Sequence, residues 1–191
     1  MHSSYEGMRE KKSNIDKLKA WETGFTGFPF VDACMRSLTY NGWITFRMRA
    51  MLTSFASYDL WIDWRESGYV LARLFTDYEP GIHYSQLQMQ SGVTGINTLR
   101  IYNPIKQSIE HDKEGEFIKK WVPELKNVPS MFIHEPWKMS LEEQTKYSCI
   151  LGKHYPLPIV DHKEAVRMAR EKISKVRKYD NYKSKSKNVY N

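Results

Sequence analysis

The fold is indicated most clearly by the stretch from Trp21 to Gly42, WETGFTGFPFVDACMRSLTYNG. Pro29 suits the first turn of a helix, where its missing N–H would have no partner and its φ is already helical. After it, apolar residues recur at helical spacing until Asn41-Gly42 ends the run. These residues are Phe30, Val31, Cys34, Met35 and Leu38. The pattern predicts a helix with one continuous apolar face.

Helical spacing also recurs on both sides of this stretch, and no alternating β pattern or internal repeat is visible. Glu79-Pro80-Gly81 breaks the pattern, and six further prolines mark connections at positions 104, 123, 129, 136, 156 and 158. The other predicted helices cover 15–20, 43–62, 66–75, 83–90, 114–121 and 162–176. The sequence therefore predicts an all-α protein with long Pro-rich connections, which more often shape a binding surface than fill a core.

The composition is that of an ordinary globular chain of 191 residues, with 41% apolar and 27% charged side chains. Aromatic residues make up 14%, and their rings need a core, an interface or a stacked ligand. No apolar run approaches the roughly 20 residues that a membrane-spanning helix needs. Cys34 and Cys149 cannot form a disulfide framework. We expect a reducing location: the cytoplasm, or the nucleus in a eukaryote.

The net charge of +7 is concentrated at the carboxyl end, where residues 169–191 carry +6. Residues 179–191 read as a basic, disordered tail, and residues 1–20 as a polar lead-in. Such a tail is usually a solvated end, although it can also add sequence-independent attraction to phosphate. Charge alone therefore does not identify a nucleic-acid-binding protein.

Common catalytic motifs are missing from the sequence: it has no Gly-rich phosphate loop, no His-Glu-x-x-His and no nucleophile elbow. The six histidines lack metal-ligand spacing, so we expect no metal site. Arg47 and Arg49 are more informative, because on a helix they point about 200° apart. One must turn inward and needs an acidic partner, for which 77–79 offers candidates. This is either a structural ion pair or a pair lining a cofactor cavity.

Three indoles fall within 22 residues, at Trp43, Trp61 and Trp64. Core packing is the ordinary explanation for such a group. Ring stacking or an electron relay is the alternative.

Eight stretches, taken in order, resemble the C-terminal part of the cryptochrome/DNA photolyase family, over about Trp21 to Lys178. Within Trp21–Leu38 the resemblance lies in W-x-x-G-x-T-G-x-P-x-V-D-A-x-M-R-x-L. The further stretches are Gly42-Trp43-x-x-x-Arg47-x-Arg49, Ser54-Phe55, Asp59-Leu60-x-Ile62-Asp63-Trp64-Arg65, Arg100–Pro104, Gly115–Leu125, His134–Trp137 and Tyr155–His162.

The resemblance implies an all-helical domain that binds a U-shaped FAD, and specifically its C-terminal half. It also implies an N-terminal α/β antenna domain and a first half of the helical domain, neither of which the sequence contains. We therefore expect a partial unit: a truncated frame, a fragment, or one half of a split protein. In the last case a separate chain would supply the antenna domain and the first half of the FAD domain.

Several site residues follow from the resemblance, position by position. Arg49 matches the arginine beside the isoalloxazine, paired with the acid at Asp77, and Glu79 stands where relatives usually have a second Asp. Arg47 matches an arginine at the lesion-side rim, which suits a phosphate contact. Trp64 matches the middle member of an electron-transferring tryptophan triad.

The sequence also departs from the family pattern. Phe46 and His83 replace asparagines, the second opposite flavin N5. Leu87 occupies the inner position of the triad, and Met89 a position where a Trp packs the lesion. Because a saturated side chain cannot relay an electron, the usual route is broken unless Tyr84 or Trp43 substitutes.

The function implied is that of a light-driven lyase, which repairs pyrimidine dimers in DNA by electron donation from reduced FAD to a flipped-out lesion. Two alternatives stay open. One is a flavin photoreceptor without repair activity, which the loss of Trp at positions 87 and 89 favours. The other is an inactive remnant, because half of the FAD contacts are missing.

Overall fold

The computed structural model describes residues 3–10, 15–95 and 97–187, with side chains up to Tyr179. Its described part contains ten α-helices and no β-strand, which confirms the all-α prediction. The helices are α1 (Ile15–Thr23), α2 (Pro29–Asn41), α3 (Phe46–Ser54), α4 (Trp64–Leu74), α5 (Pro80–Gln90), α6 (Pro104–His111), α7 (Glu116–Trp121), α8 (Ser130–Ile133), α9 (Leu141–Lys146) and α10 (His162–Lys187).

Helix α2 is the centre of the core and lies where the sequence predicts it. It packs against α1, α3, α6 and α7, and all five apolar residues of its predicted face are buried. Pro29 is in the first turn, and Gly42 ends the helix at φ 70°, with its N–H donating to Leu38 O. This left-handed conformation favours glycine, which explains the sharp stop.

A buried carboxylate fixes the turn that enters α2. The Asp32 side chain accepts hydrogen bonds from Thr26 N (2.8 Å), Thr26 Oγ1 (2.6 Å), Gly27 N (3.1 Å) and Tyr155 Oη (2.5 Å). Gly27 has φ 79°, and a Cβ there would lie 2.4 Å from Leu157 O. The turn is thus held against the connection that precedes α10.

The predicted helix over 43–62 is interrupted in the structure. Helix α3 starts only at Phe46, after the N-cap Thr45, and ends at Ser54. A π-helix, Phe55–Asp59, follows, and Trp61 adopts φ 57°. The wide turn and the left-handed residue keep both Leu60 and Ile62 buried. A straight helix would place them on different faces, so tertiary packing overrides the local period here.

Prolines begin helices more often than the sequence analysis expected. Pro80 and Pro104 occupy first turns, behind the N-caps Glu79 and Asn103. The predicted break at 79–81 is therefore a helix start. Helices α6, α8 and α9 were not predicted, since they are short and α6 and α8 begin at or directly after a proline.

The two ends of the chain differ from the expected lead-in and tail. Near the amino end, Tyr5 and Arg9 are buried. At the other end, α10 continues to Lys187, so helical backbone extends into the stretch 179–191. Residues 1–2, 11–14, 96 and 188–191 lie outside the described part.

Candidate functional site

A cleft of about 200 Å³ opens between α3, α4 and α5. Most of its wall is apolar, and its polar groups come from α3, from α5 and from the turn before α5. Five of the predicted cofactor-site residues line it: Phe46, Arg49, Asp77, Glu79 and His83. The fold thus brings together residues separated by up to 37 positions in the sequence.

Arg49 is the one of the two arginines that turns inward, as the spacing predicts. Its Nη2 donates to Asp77 Oδ2 at 2.9 Å, and its Nε donates to Ile44 O at 3.0 Å. The guanidinium lies over the Phe75 ring, 4.1 Å from the centroid. The two hydrogen bonds and the stacked Phe75 ring fix the plane of the guanidinium at the cleft wall.

The Arg49–Asp77 pair is less buried than the sequence analysis assumed. The Asp77 side chain is 49% exposed, against 23% for Arg49. The hydrogen bond from Arg49 lowers the pKa of Asp77. With this exposure the pair contributes about 1 kcal/mol or less to stability, whereas breaking a fully buried pair would cost about 3–5 kcal/mol. Its partial exposure leaves the guanidinium accessible from the cleft.

Glu79 has a structural role of its own. Its Oε2 accepts from Ile82 N at 2.7 Å and so caps α5. The carboxylate also lies at the cleft wall. A negative charge at this helix start is favourable.

His83 presents a defined tautomer to the cleft. Its Nε2 lies 3.0 Å from Gly68 O, and since a carbonyl only accepts, Nε2 carries the proton. Burial, opposed by this hydrogen bond and aided by nearby Arg49, lowers the pKa of His83. Among the described residues Nδ1 has no hydrogen-bond partner. At neutral pH it is therefore a free acceptor.

Two buried amide oxygens in the same wall are also unpartnered. Gln86 Oε1 and Gln90 Oε1 meet no donor within the described part of the chain, and both residues line the cleft. An unsatisfied buried acceptor costs about 1–3 kcal/mol. Cationic Arg49, the apolar wall and these acceptors fit a planar heterocycle with N–H donors and anionic or carbonyl oxygens, and the residues present thus fit FAD.

Three of the predicted site residues lie away from the cleft wall. Arg47 is exposed, and Met89 is half-buried. Trp64 is buried behind the cleft, with its ring under the Arg65 guanidinium at 4.8 Å. The structure does not test their predicted roles in DNA contact and electron transfer.

A series of rings connects Trp64 to the cleft. The Trp64 and Tyr84 centroids are 6.2 Å apart, and Tyr84 lies 5.2 Å from His83 and 6.4 Å from Tyr78. Leu87 packs against Gly68, where an added Cβ would approach Leu87 Cδ1 to 2.7 Å. Trp43 is 55% exposed and makes no ring contact with the described residues. Of the two residues named as possible substitutes, Tyr84 is the one that contacts Trp64.

Sequence reasoning missed much of the wall. The omitted residues are Ala50, Thr53, Leu71, Phe75, Tyr78, Ile82, Gln86 and Gln90. Those on α5 recur with Glu79 and His83 at three- and four-residue spacing, which marks one helix face and could have revealed them. Phe75 and Leu71 come from α4, whose approach only the folded chain shows.

No cluster of three or more metal-binding side chains occurs among the described residues. In the same part of the chain, no helix combines the length and apolar character needed to cross a bilayer.

The comparisons agree with this geometry. Residues 1–175 match the family model described as the FAD binding domain of DNA photolyase. The chain belongs to this family. FAD is therefore the cofactor of this domain. The deoxyribodipyrimidine photo-lyase of Alkalihalophilus pseudofirmus is 44% identical over 168 residues, covering 86% of this chain and 35% of that protein.

Solved structures show the same family likeness. A class III photolyase from Agrobacterium tumefaciens superimposes with a TM-score of 0.85 at 33% identity, covering 93% of this chain and 37% of that one. The archaeal photolyase from Sulfolobus tokodaii, solved with two FAD molecules, gives 0.79 at 32% identity, covering 90% and 37%. Relatives named Cryptochrome DASH and Cryptochrome-1 also match. The chain thus spans about a third of the length of its relatives.

Proposed function

We propose that this chain is the carboxyl-terminal part of the FAD-binding domain of a light-driven lyase that repairs pyrimidine dimers in DNA. The observation that carries the proposal is the cleft between α3, α4 and α5. There Arg49 is held by Asp77 and Phe75, beside an acceptor face on α5. The identity to photolyases along most of the chain supports it.

Bound FAD would supply one-electron chemistry driven by light. The chain's own residues bind and orient it. Arg49 offers a fixed cation to electron-rich oxygens, and Asp77 keeps the guanidinium in its plane. His83 Nδ1 accepts a hydrogen bond while Gly68 holds its tautomer. Leu71, Phe75 and Leu87 exclude water from the inner wall.

Contacts with DNA are assigned to the outer residues. Arg47 is exposed one turn of backbone from the cleft rim and suits a phosphate. Phe46, 62% exposed at the rim, and half-buried Met89 offer apolar surface to a base. Trp64 would pass electrons to the cleft through Tyr84, in place of the route that Leu87 interrupts.

The rest of the activity requires parts that other segments supply. Since the chain spans about a third of its relatives, a preceding segment or a separate chain would contribute the antenna domain and first half of the FAD domain. A flavin photoreceptor without repair activity is the second candidate, favoured by Leu87 at the inner relay position and by the relatives named cryptochromes. An inactive remnant is the third.

The decisive test measures FAD binding and repair separately. We expect FAD to bind the chain, or the chain joined to its missing part, with at least about tenfold weaker binding in Arg49→Ala, equal to about 1.4 kcal/mol. Arg47→Ala is the matched control, expected to keep FAD affinity and weaken DNA binding. Dimer repair under blue light distinguishes the lyase from the photoreceptor. If no FAD binds even to the joined protein, the remnant is correct.

A further inference from the structure

Asp59, at the end of the π-helix, carries a carboxylate with a single described partner. His162 Nδ1 lies 2.5 Å from Asp59 Oδ1, and the two side chains are 13% and 0% exposed. Asp59 Oδ2 is buried and meets no donor within the described residues. A buried carboxylate without further donors is stable only beside a cation or with a proton of its own. The folded protein therefore favours a proton on this pair.

The pair is located where the last helix meets the core. His162 is the first residue of α10, and further along Ala169 and Ile173 are fully buried. Lys172 Nζ lies 4.6 Å from the centre of the Trp61 ring, so α10 covers this indole. Beneath this end of α10 is a second cavity of about 200 Å³, lined by the π-helix, α1 and α10. The pair thus closes the amino-terminal end of α10 over Trp61.

We propose that Asp59 and His162 form a one-proton latch, which holds the amino-terminal end of α10 on the π-helix and loosens it when the shared proton is lost. The opened state would expose Trp61 and the cavity beneath α10. The buried positions at Ala169 and Ile173 anchor the helix further on, so the opening is local.

The direction of the pH dependence follows from the burial of Asp59. Burial raises the pKa of Asp59, and the hydrogen bond and charge of His162 oppose that rise. A group with a raised pKa holds its proton more tightly in the folded form, so the docking energy is lost as pH rises through the titration of Asp59.

Other charged groups surround the pair but do not reverse this direction. Half of them are exposed and screened by salt, whereas the pair is buried. These groups include cations and acids in similar number. They are Lys17, Asp161, Glu164 and Lys172 in the cavity, Glu135 and Lys163 in the groove, and Arg9 and Tyr58 beside the π-helix.

The test follows Trp61 in the whole chain labelled with 5-fluorotryptophan. We expect its ¹⁹F resonance, assigned with Trp61→Phe, to report a released population that grows as pH rises above the usual aspartate range of about 4. The ratio of released to docked protein should rise by up to tenfold per pH unit, as the loss of one proton requires. Asp59→Asn cannot ionise and should stay docked at every pH. Glu171→Gln, which removes an exposed acid further along α10, should keep the parent profile.

Two results would overturn the latch. One is a Trp61 signal in the parent that does not change with pH, and the other is an Asp59→Asn variant with the parent's pH dependence. One further measurement needs only the parent protein, so it tests the latch even if a variant fails to fold. The Asp59 side-chain carboxyl, followed by ¹³C NMR, should titrate with the same midpoint as the Trp61 signal, and different midpoints would refute the coupling.

Discussion

Asp32 accepts more hydrogen bonds than any predicted site residue, although it lies outside the cleft. Four hydrogen bonds from Thr26, Gly27 and Tyr155 converge on its carboxylate. Burial nevertheless raises the pKa of Asp32 to about 6, against the effect of these donors. The residue joins the entry of α2 to the connection before α10, positions more than 120 residues apart.

We therefore expect Asp32→Asn to lower the free energy of unfolding by about 2–4 kcal/mol, because an amide nitrogen faces donors that the carboxylate accepted. Since the folded pKa is raised, the contribution of Asp32 is full below its unfolded pKa and is lost as pH rises through about 6, so the cost of Asp32→Asn should shrink over that range. Urea unfolding at pH 4.5 and pH 7.5 (about the limits of this titration) measures both effects. Glu142→Gln, an exposed acid on α9, is the control.

A cost of Asp32→Asn that grows with pH would contradict this direction. It would show that the four donors hold the carboxylate ionised despite its burial.

Tyr84 is the residue on which the electron route depends, if the proposed function holds. In the FAD-loaded protein we expect Tyr84→Phe to slow blue-light reduction of the flavin by about tenfold or more, equal to about 1.4 kcal/mol of barrier. Phenylalanine keeps the ring but is much harder to oxidise. Trp64→Phe should have a similar effect. Tyr69→Phe, an exposed tyrosine on α4, is the matched control.

Unchanged reduction in Tyr84→Phe would exclude the route through Tyr84. Restoring an indole at position 87 is a less direct test, since it also changes the packing of residue 87 against Gly68.

At the scale of elements, the cleft depends on how closely α4 and α5 approach. Gly68 on α4 permits Leu87 to pack against its backbone, and its carbonyl oxygen holds His83. Both contacts lie on the cleft-lining face of α5. The shape of the site is thus set by a glycine that does not itself line the cleft.

Gly68→Ala should therefore lower stability by about 1–2 kcal/mol, since overpacking outweighs the gain in helix propensity. FAD retention should fall as well, because Leu87 and His83 must move. The control is Gly81→Ala on α5, where the nearest side-chain atom is the flexible Glu79 Oε2 at 3.2 Å. Thermal unfolding with a flavin titration measures both quantities. A Gly68→Ala protein more stable than the parent would show that α4 and α5 are not in tight contact.

For the whole molecule, the uneven charge has consequences for DNA. Residues 169–191 carry +6 of the total +7, and α10 displays part of that charge on exposed side chains such as Arg170, Lys175 and Lys178. A charge of this kind attracts phosphate without reading sequence.

Deleting residues 180–191 removes three lysines and one aspartate. We expect weaker binding to duplex DNA mainly at low salt, with the slope of log K against log salt reduced by about 2–3. Stability should stay within about 1 kcal/mol, because Ala169 and Ile173 anchor α10 before the deletion. A slope equal to the parent's would mean that the end of α10 does not approach DNA.

The local pattern was sufficient for some features of the site and not for others. The 200° offset between Arg47 and Arg49 correctly predicted that one arginine turns inward, and the acidic pair at 77–79 contained its partner. The exposure of Asp77 could not be predicted, because it depends on how open the cleft is. The amide acceptors of Gln86 and Gln90 were missed because polar residues on a helix normally face water.

What the amino-acid sequence determined by itself was the helical class, the core helix α2 with its proline start and glycine stop, and the family. These depend on short-range periodicity, capping and local motifs, which act within a few residues. Only the tertiary structure decided the π-helix, the left-handed Trp61, the contact of Tyr84 with Trp64 and the Asp59–His162 pair. The physical reason is that each arises from burial between segments distant in the chain, where packing outweighs local preference.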